Sequence, residues 1–360
     1  MTGRERVVKT LEFDRPDRAP RDLWWLQSVA MSQKEELERL LEMFPIDFGI
    51  PHFKPGRINN PTDYLFVPLI RAGGSSRKPL PRNSKYIDEW GSVWWVAEDG
   101  MAGEVREPVI DDLLKVDNFS PPWDYLNTID LSDVNKSCAE SNKFMLSDVC
   151  ARPFERLQFL RGTENFFIDL GYGCEEIYRL RDIVHEYNMK YIKMWLETDV
   201  DGVFLMDDWG AQQSLLISPT VWREFLKPLY KEYCDLIHYS NKYVFFHSDG
   251  FIEEIFADVI EIGIDAINSQ LFCMDIEKIS KQYKGKITFW GEIDRQKIIP
   301  FGNVEDIRNA VFRLRKAFDD ENGGVIAQCE WGKNVPVENI EEVYNSWSKP
   351  VAELARLTTM

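Results

Sequence analysis

Positive charge is scarce in this chain. Forty-three lysines and arginines face 60 aspartates and glutamates, for a net charge of −17. A general nucleic-acid binder needs a basic surface to displace counterions from phosphates, so that class is excluded. Long apolar runs are missing too: no segment approaches the ~18 uncharged apolar residues of a membrane helix. The opening "MTGRERVVKTLEFDRPDRAP" lacks the apolar core of a signal peptide. The six cysteines (138, 150, 174, 234, 273, 329) are scattered with no CxxC pair, which excludes a disulfide framework at this size. Cytoplasmic localisation with reduced thiols is the expectation. There is no low-complexity tract or clear linker in the 360 residues, so one domain over 1–360 is expected, with an N-terminal arm over about 1–20.

Hydrophobic residues make up 44% of the chain, enough for a sizeable core. From residue 200 onward, short apolar runs alternate with amphipathic segments. "DGVFLMDDWG" reads as a buried strand over 202–206 that ends in two aspartates. "SPTVWREFLKPLYKEYCDLIHYSN" reads as a helix opened by Ser218 and Pro219, with a kink at Pro228. Strand "KYVFFH" is followed by helix "FIEEIFADVIEIG", which Gly263 closes. Three more pairs follow, from "DAIN" to the final helix "PVENIEEVYNSWSKPVAELARL". Upstream, "KFMLSDV" (143–149) with the helical stretch 174–198 forms another unit, and 18–26 and 47–50 supply the first strands. Strands that are apolar throughout and separated by helices imply a parallel sheet covered on both faces. About eight such units predict an α/β fold of the (β/α)8 TIM-barrel type. A doubly wound sheet is the competitor, weakened in its dinucleotide-binding form by the lack of GxGxxG after any strand.

In such barrels the chemistry sits at the C-terminal ends of the strands. Those ends carry Asp207 and Asp208, then His247 and Asp249, then Asn268 and Gln270, then Glu292 and Asp294, then Gln328, Cys329 and Glu330. His247 is one of only four histidines, and Asp249 lies two residues on, on the same side of an extended backbone. With Cys329 they form a set able to close on zinc through three protein ligands and one open position. The plainer reading is a hydrogen-bonded structural histidine and a small buried cysteine. Asp207 and Asp208 are candidates for general acid/base work or for binding a cation, unless one of them caps a turn. Asn268, Gln270 and Glu330 are candidates for lining the substrate pocket.

Several motifs resemble the uroporphyrinogen decarboxylase superfamily over nearly the whole chain. They are "GRERVVKTLEFDRPDRAP", "DGVFLMDDWGAQQSLLISPTVWREFLKPLYKE", "FFHSDGFIEEIFADVIEIGIDAIN", "ITFWGEIDRQKIIPFGNVEDIR" and "VPVENIEEV". The resemblance implies a single (β/α)8 barrel. It also implies one of two activities. True decarboxylases hold their substrate's carboxylates with N-terminal arginines. The corresponding stretch "DLWWLQSVAM" has no arginine beyond Arg21, and the basic stretch Arg71, Arg77, Lys78, Arg82, Lys85 is the remaining source of cations. The other branch is the zinc-dependent methyltransferases that pass a methyl group to or from a corrinoid protein. Their ligands come from H-x-C and a later cysteine. Here H-x-C reads His247-Ser248-Asp249, the later cysteine falls on Cys329, and Glu292 or Glu330 can complete the shell.

The resemblance therefore implies methyl transfer between a small methylated substrate or acceptor and a corrinoid protein. Zinc on His247, Cys329, Asp249 and Glu292 would serve it, with Asp207 and Asp208 in catalysis. The alternatives are a cofactor-free decarboxylase of a tetrapyrrole or aromatic acid and a non-catalytic ligand-binding barrel. Small molecules, a corrinoid protein and a second copy of the chain are the expected partners. The tryptophans of "DLWWLQ" and "DEWGSVWW" would wall a flat apolar pocket or simply pack.

Overall fold

A computed structural model of the chain describes residues 1–60, 62–68, 80–99, 101 and 103–358. Its strands are β1 (Arg21–Trp25), β2 (Phe48–Gly49), β3 (Leu65–Phe66), β4 (Lys85–Ile87), β5 (Val93–Trp95), β6 (Glu104–Glu107), β7 (Phe144–Ala151), β8 (Gly202–Met206), β9 (Tyr243–Ser248), β10 (Ala266–Ser269), β11 (Thr288–Trp290) and β12 (Val325–Trp331). Eight of them form a sheet in the order β1-β12-β11-β10-β9-β8-β7-β2, with every pairing parallel. At the seam between β1 and β2, Asp47 N–H donates to Arg21 O at 2.8 Å and Arg21 N–H donates to the Asp47 carboxylate at 2.7 Å. Arg6 and Arg18 of the N-terminal arm bind the same carboxylate. The result is the nearly closed barrel that the strand-helix rhythm predicts.

Strand alternation sorts side chains into two cores. Phe48, Phe144, Leu146, Phe204, Met206, Phe245, Ala266, Trp290 and Ile326 fill the barrel interior. Val203, Leu205, Val244, Phe246, Ile267, Phe289, Val325, Ala327 and Cys329 point outward, into the larger core beneath the helices. Each fully buried large side chain contributes roughly 1.5–3 kcal/mol. That burial fixes register, because a one-residue slip would exchange the two sets.

The second-half helices form largely where their caps and periodicity predict. Ser218 Oγ accepts from Val221 N–H and opens Pro219–Phe225, and a second helix, Lys227–Tyr239, starts at the proline expected to kink it. The terminal helix is broken in two, Val337–Trp347 and Val351–Leu357, because Pro350 cannot continue the first. A small sheet, β3-β4-β5-β6, was not foreseen. Its strands are two to four residues long and give no usable periodicity. Buried Asp88 organises it, accepting from Trp90 N–H, Ser92 N–H and Trp94 Nε1 while pairing with Arg156. Of the basic stretch, Arg71, Arg77 and Lys78 lie outside the described residues, and Lys85 pairs with Glu107 on the surface.

Candidate active site at the barrel rim

Three positions at the ends of two neighbouring strands build the centre of the site. Phe204, Met206 and Asp208 share one parity, as do Phe245, His247 and Asp249. The loops that follow β8 and β9 lock together. Asp249 N–H donates to Asp208 Oδ1 at 2.9 Å, Trp209 N–H to Ser248 Oγ at 3.1 Å, and Gly210 N–H to Asp249 O at 3.2 Å. Gly250 makes this possible: its φ is +78°, and a Cβ there would lie 2.1 Å from Gly210 O. Gly250 N–H donates to Gln270 Oε1 at 3.2 Å and ties in the loop after β10.

The His247 imidazole is buried and oriented from below. Its Nδ1 lies 2.6 Å from Asn268 Oδ1, while Asn268 Nδ2 donates to Trp290 O and, at 3.1 Å, to Gln328 Oε1. The Asn268 amide nitrogen faces two acceptors, so its oxygen must accept, and Nδ1 of His247 carries the proton. Nε2 is then turned toward Asp249 Oδ1 at 3.4 Å and Asp208 Oδ1 at 3.6 Å. The three ligand atoms of Asp208, His247 and Asp249 lie within 4.8 Å of one another. Asp249 Oδ1 is buried without a hydrogen-bond partner. Trp24 packs its edge on the imidazole at 5.1 Å between centroids, and its Nε1, like that of Trp290, donates to buried Asp22.

Beside this triad, Arg295 gathers three carboxylates. It binds Asp249 Oδ2, Glu330 Oε2 at 2.9 Å and Glu292 Oε1 at 3.2 Å. Burial works against its charge, but the three carboxylates more than offset this and hold the guanidinium firmly protonated. Burial likewise pushes the Glu292 carboxyl well above the ordinary carboxylate range, Arg295 opposing and Asp249 and Glu330 adding to the rise. An adjoining cleft is lined by Gln212, Gln270, Phe272, Cys273, Glu292 and Arg295, among others.

The structure brings together His247, Asp249, Asp208, Asn268, Gln270, Glu292 and Glu330, but with altered roles. Cys329 is not part of the group. It has outward parity, is fully buried among the helices, and its thiol meets Tyr344 Oη at 3.6 Å. Burial pushes that thiol up to about 12. Glu292 lies outside the triad and bonds Arg295. Asp207 also points outward. Its oxygens accept from Phe154 N–H at 2.6 Å, Glu155 N–H at 2.8 Å and the Tyr230 hydroxyl, so it caps the helix Pro153–Arg161. Burial pushes it up to about 7 against those hydrogen bonds. Neighbouring Glu155, paired with Arg152, is pushed up to about 8, chiefly by burial. Sequence reasoning missed Arg295 and Asp22, and offered Trp24 only as one of the tryptophans that wall a pocket or pack. Asp22 and Trp24 share β1's inward parity, so the same period-two rule would have found them, whereas Arg295 sits in the loop after β11, where strand parity no longer applies.

Comparison with known proteins gives the site its context. No curated protein matches the chain. Among solved structures, a methyltransferase from Methanosarcina mazei superimposes with a TM-score of 0.63 at 14% identity, covering 96% of this chain and 98% of that one. At that identity the likeness speaks for the fold. A glycosylated endo-beta-1,4-xylanase from Gloeophyllum trabeum aligns at a TM-score of 0.40 and 9% identity, over 62% of this chain and 82% of that one, and carries no weight. Residues 96–349, well over half the chain, match the family model of uroporphyrinogen decarboxylase (URO-D). They include both interlocked loops, the Asn268 strand and the Arg295 turn, and the chain accordingly belongs to the uroporphyrinogen decarboxylase family.

Proposed function

We propose that this chain is a metal-dependent methyltransferase, moving a methyl group between a small methylated molecule and a corrinoid carried by a partner protein. The observation that carries the reading is the convergence of His247 Nε2 with the Asp208 and Asp249 oxygens. These donors fit a metal ion. With Nδ1 protonated by its bond to Asn268, Nε2 presents a lone pair, and the orphaned Asp249 Oδ1 faces it. The separations of 3.4 and 3.6 Å are close to the ~3.4 Å between two ligands around a tetrahedral zinc with bonds of about 2.1 Å. One nitrogen and two oxygens suit zinc and also harder divalent ions. Held by these residues, such an ion would supply Lewis acidity to a substrate atom. The protein's own groups orient the histidine (Asn268), pin Asp249 (Arg295) and wall the cleft (Gln270, Phe272).

Membership of the family and a structural neighbour named as a methyltransferase support methyl transfer. The H-x-D register, standing where the resemblance puts H-x-C, supports the metal, and the corrinoid partner rests on that resemblance. A cofactor-free decarboxylase would need a cation to hold its substrate's carboxylates; Arg295 is shared among three protein carboxylates, which leaves Lys297 as the other cation lining the cleft. The test is metal content and turnover. Purified protein should hold about one zinc or similar ion per chain, and His247→Ala should lose it. Methyl transfer to free cob(I)alamin should stop with chelator and return with metal. Failure to take up zinc, manganese, iron or cobalt, or activity indifferent to chelation, would refute the reading.

A further inference from the structure

Glu292 has no task in the site as described. Its side chain is 2% exposed yet lines the cleft. Oε1 lies 3.2 Å from Arg295 Nε as an ion pair, while Oε2 is buried with no hydrogen-bond partner. The backbone is shaped to bring it there. Gly291 has φ +69°, and a Cβ on it would meet the Gln328 side chain at 2.5 Å. The charged groups facing Glu292 are Arg295, Asp249, Glu330 and Asp294. A buried carboxylate oxygen without a hydrogen bond is costly, so Glu292, the most enclosed of the three carboxylates on Arg295, holds a proton. Its O–H then has no acceptor among the described residues, in a side chain that lines the cleft.

We propose that Glu292 is a catalytic acid that protonates the departing heteroatom of the methyl donor, and that the donor is therefore a neutral ether. The proposal rests on the methyl-transfer reading above. The donor's methyl–oxygen bond breaks and its electron pair stays on oxygen. That oxygen takes the proton from Glu292 Oε2, leaving a carboxylate beside Arg295. A two-electron nucleophile, the reduced corrinoid, gives the pair that forms the new bond to the methyl carbon. An ether oxygen leaves poorly as an anion, so a positioned acid contributes most there. A methylated ammonium or sulfonium leaves as a neutral molecule and needs no proton, so a buried acid would add nothing.

The test compares wild type, Glu292→Gln and Glu292→Ala, each metal-loaded with metal content checked, using free cob(I)alamin as acceptor. The donors are a methoxyphenol, a nitroanisole and tetramethylammonium. Glu292→Gln should lower kcat for methoxyphenol about 10²–10⁴-fold. Its KM should stay within about threefold, because the amide N–H still donates. Nitroanisole, whose phenolate leaves without help, should lose far less. Calorimetry should show methoxyphenol binding to wild type and Glu292→Gln, about tenfold weaker binding to Glu292→Ala, and tetramethylammonium failing to compete. Equal losses on both ethers, or preference for tetramethylammonium, would overturn the proposal while leaving methyl transfer intact. Methylcobalamin from none of the donors would instead overturn the methyl-transfer reading, and the acid role with it.

Discussion

Replacing Asn268 separates the two things its side chain does. The amide is fully buried and makes three hydrogen bonds, to His247 Nδ1, Trp290 O and Gln328 Oε1. Asn268→Leu keeps the volume and strands all three partners. Each stranded buried group costs about 1–3 kcal/mol. Local relaxation favours the low end, so a loss of about 3–5 kcal/mol is expected in urea unfolding. Without an acceptor at Nδ1 the imidazole can also switch tautomer, which should weaken zinc binding about 10–100-fold. Asn268→Asp splits the readouts. Its carboxylate still accepts from Nδ1, so zinc affinity should hold or improve. It has lost the two donors, and sets negative oxygen against Trp290 O and Gln328 Oε1, so stability should fall as far as in the leucine variant. The measurements are urea unfolding and competitive zinc titration with a chelating dye. Equal loss of affinity in both variants would refute tautomer control, and an unchanged urea midpoint in the leucine variant would refute the buried network.

Two further outcomes follow from side-chain parity and burial. Cys329→Ser should leave metal content unchanged, with a stability change within about 1 kcal/mol, and a variant that purifies without metal would return Cys329 to the site. The second concerns pH. Asp207 is raised from 3.8 to about 7 and Glu155 from 4.5 to about 8, in both cases chiefly by burial. The folded state therefore binds protons more tightly than the unfolded chain, and this contribution to stability is fully present below the ordinary carboxylate values. It is lost as pH rises through about 7 and about 8, so the urea midpoint should fall between pH 5 and pH 8.5. Asp207→Asn should flatten that fall and lower stability at pH 5, yet leave metal content intact. A fall of the same steepness in the variant would show that Asp207 is not its source.

The barrel was legible because its signal is long-range and repeated. Apolar runs alternating with capped helices recur too often to fit another layer arrangement, and Ser218, Gly263 and Pro228 marked boundaries within a residue or two. The small sheet was not, since two- to four-residue strands carry no period and Asp88 holds them by tertiary bonds to Trp94 and Arg156. At the site, the strand ends named the right neighbourhood but not the right atoms. Asp207 and Asp208 are adjacent in sequence and opposite in space: one caps a helix outside the barrel and the other faces His247. Reading each strand end as a cluster lost that distinction. Counting back by twos from apolar interior residues would have kept it. The Asp249–Arg295 pair lay beyond such counting, because it joins two loops across 46 residues.

The same parity bears on the chemistry. A strand cannot turn Cys329 toward the cleft while Gln328 and Glu330 already face it, so the cysteine expected from the resemblance is not available as a donor. Asp249 stands where that pattern has its other cysteine, and in the proposed reading Asp208 is the third donor. Both exchanges go from sulfur to oxygen. A metal held by imidazole and carboxylates is a harder Lewis acid than one held by thiolates. It is less suited to activating a thiol acceptor and better suited to polarising oxygen. Glu292, on the far side of Arg295, is suited to protonating oxygen. In the proposed reading the donor set and the buried acid thus select the same kind of substrate by independent means. A variant that restored sulfur, Asp249→Cys, should therefore favour zinc over manganese while slowing transfer from an ether. Metal competition and single-turnover kinetics would read the two effects separately. Faster transfer from methoxyphenol in that variant would break the link between hard donors and oxygen substrates.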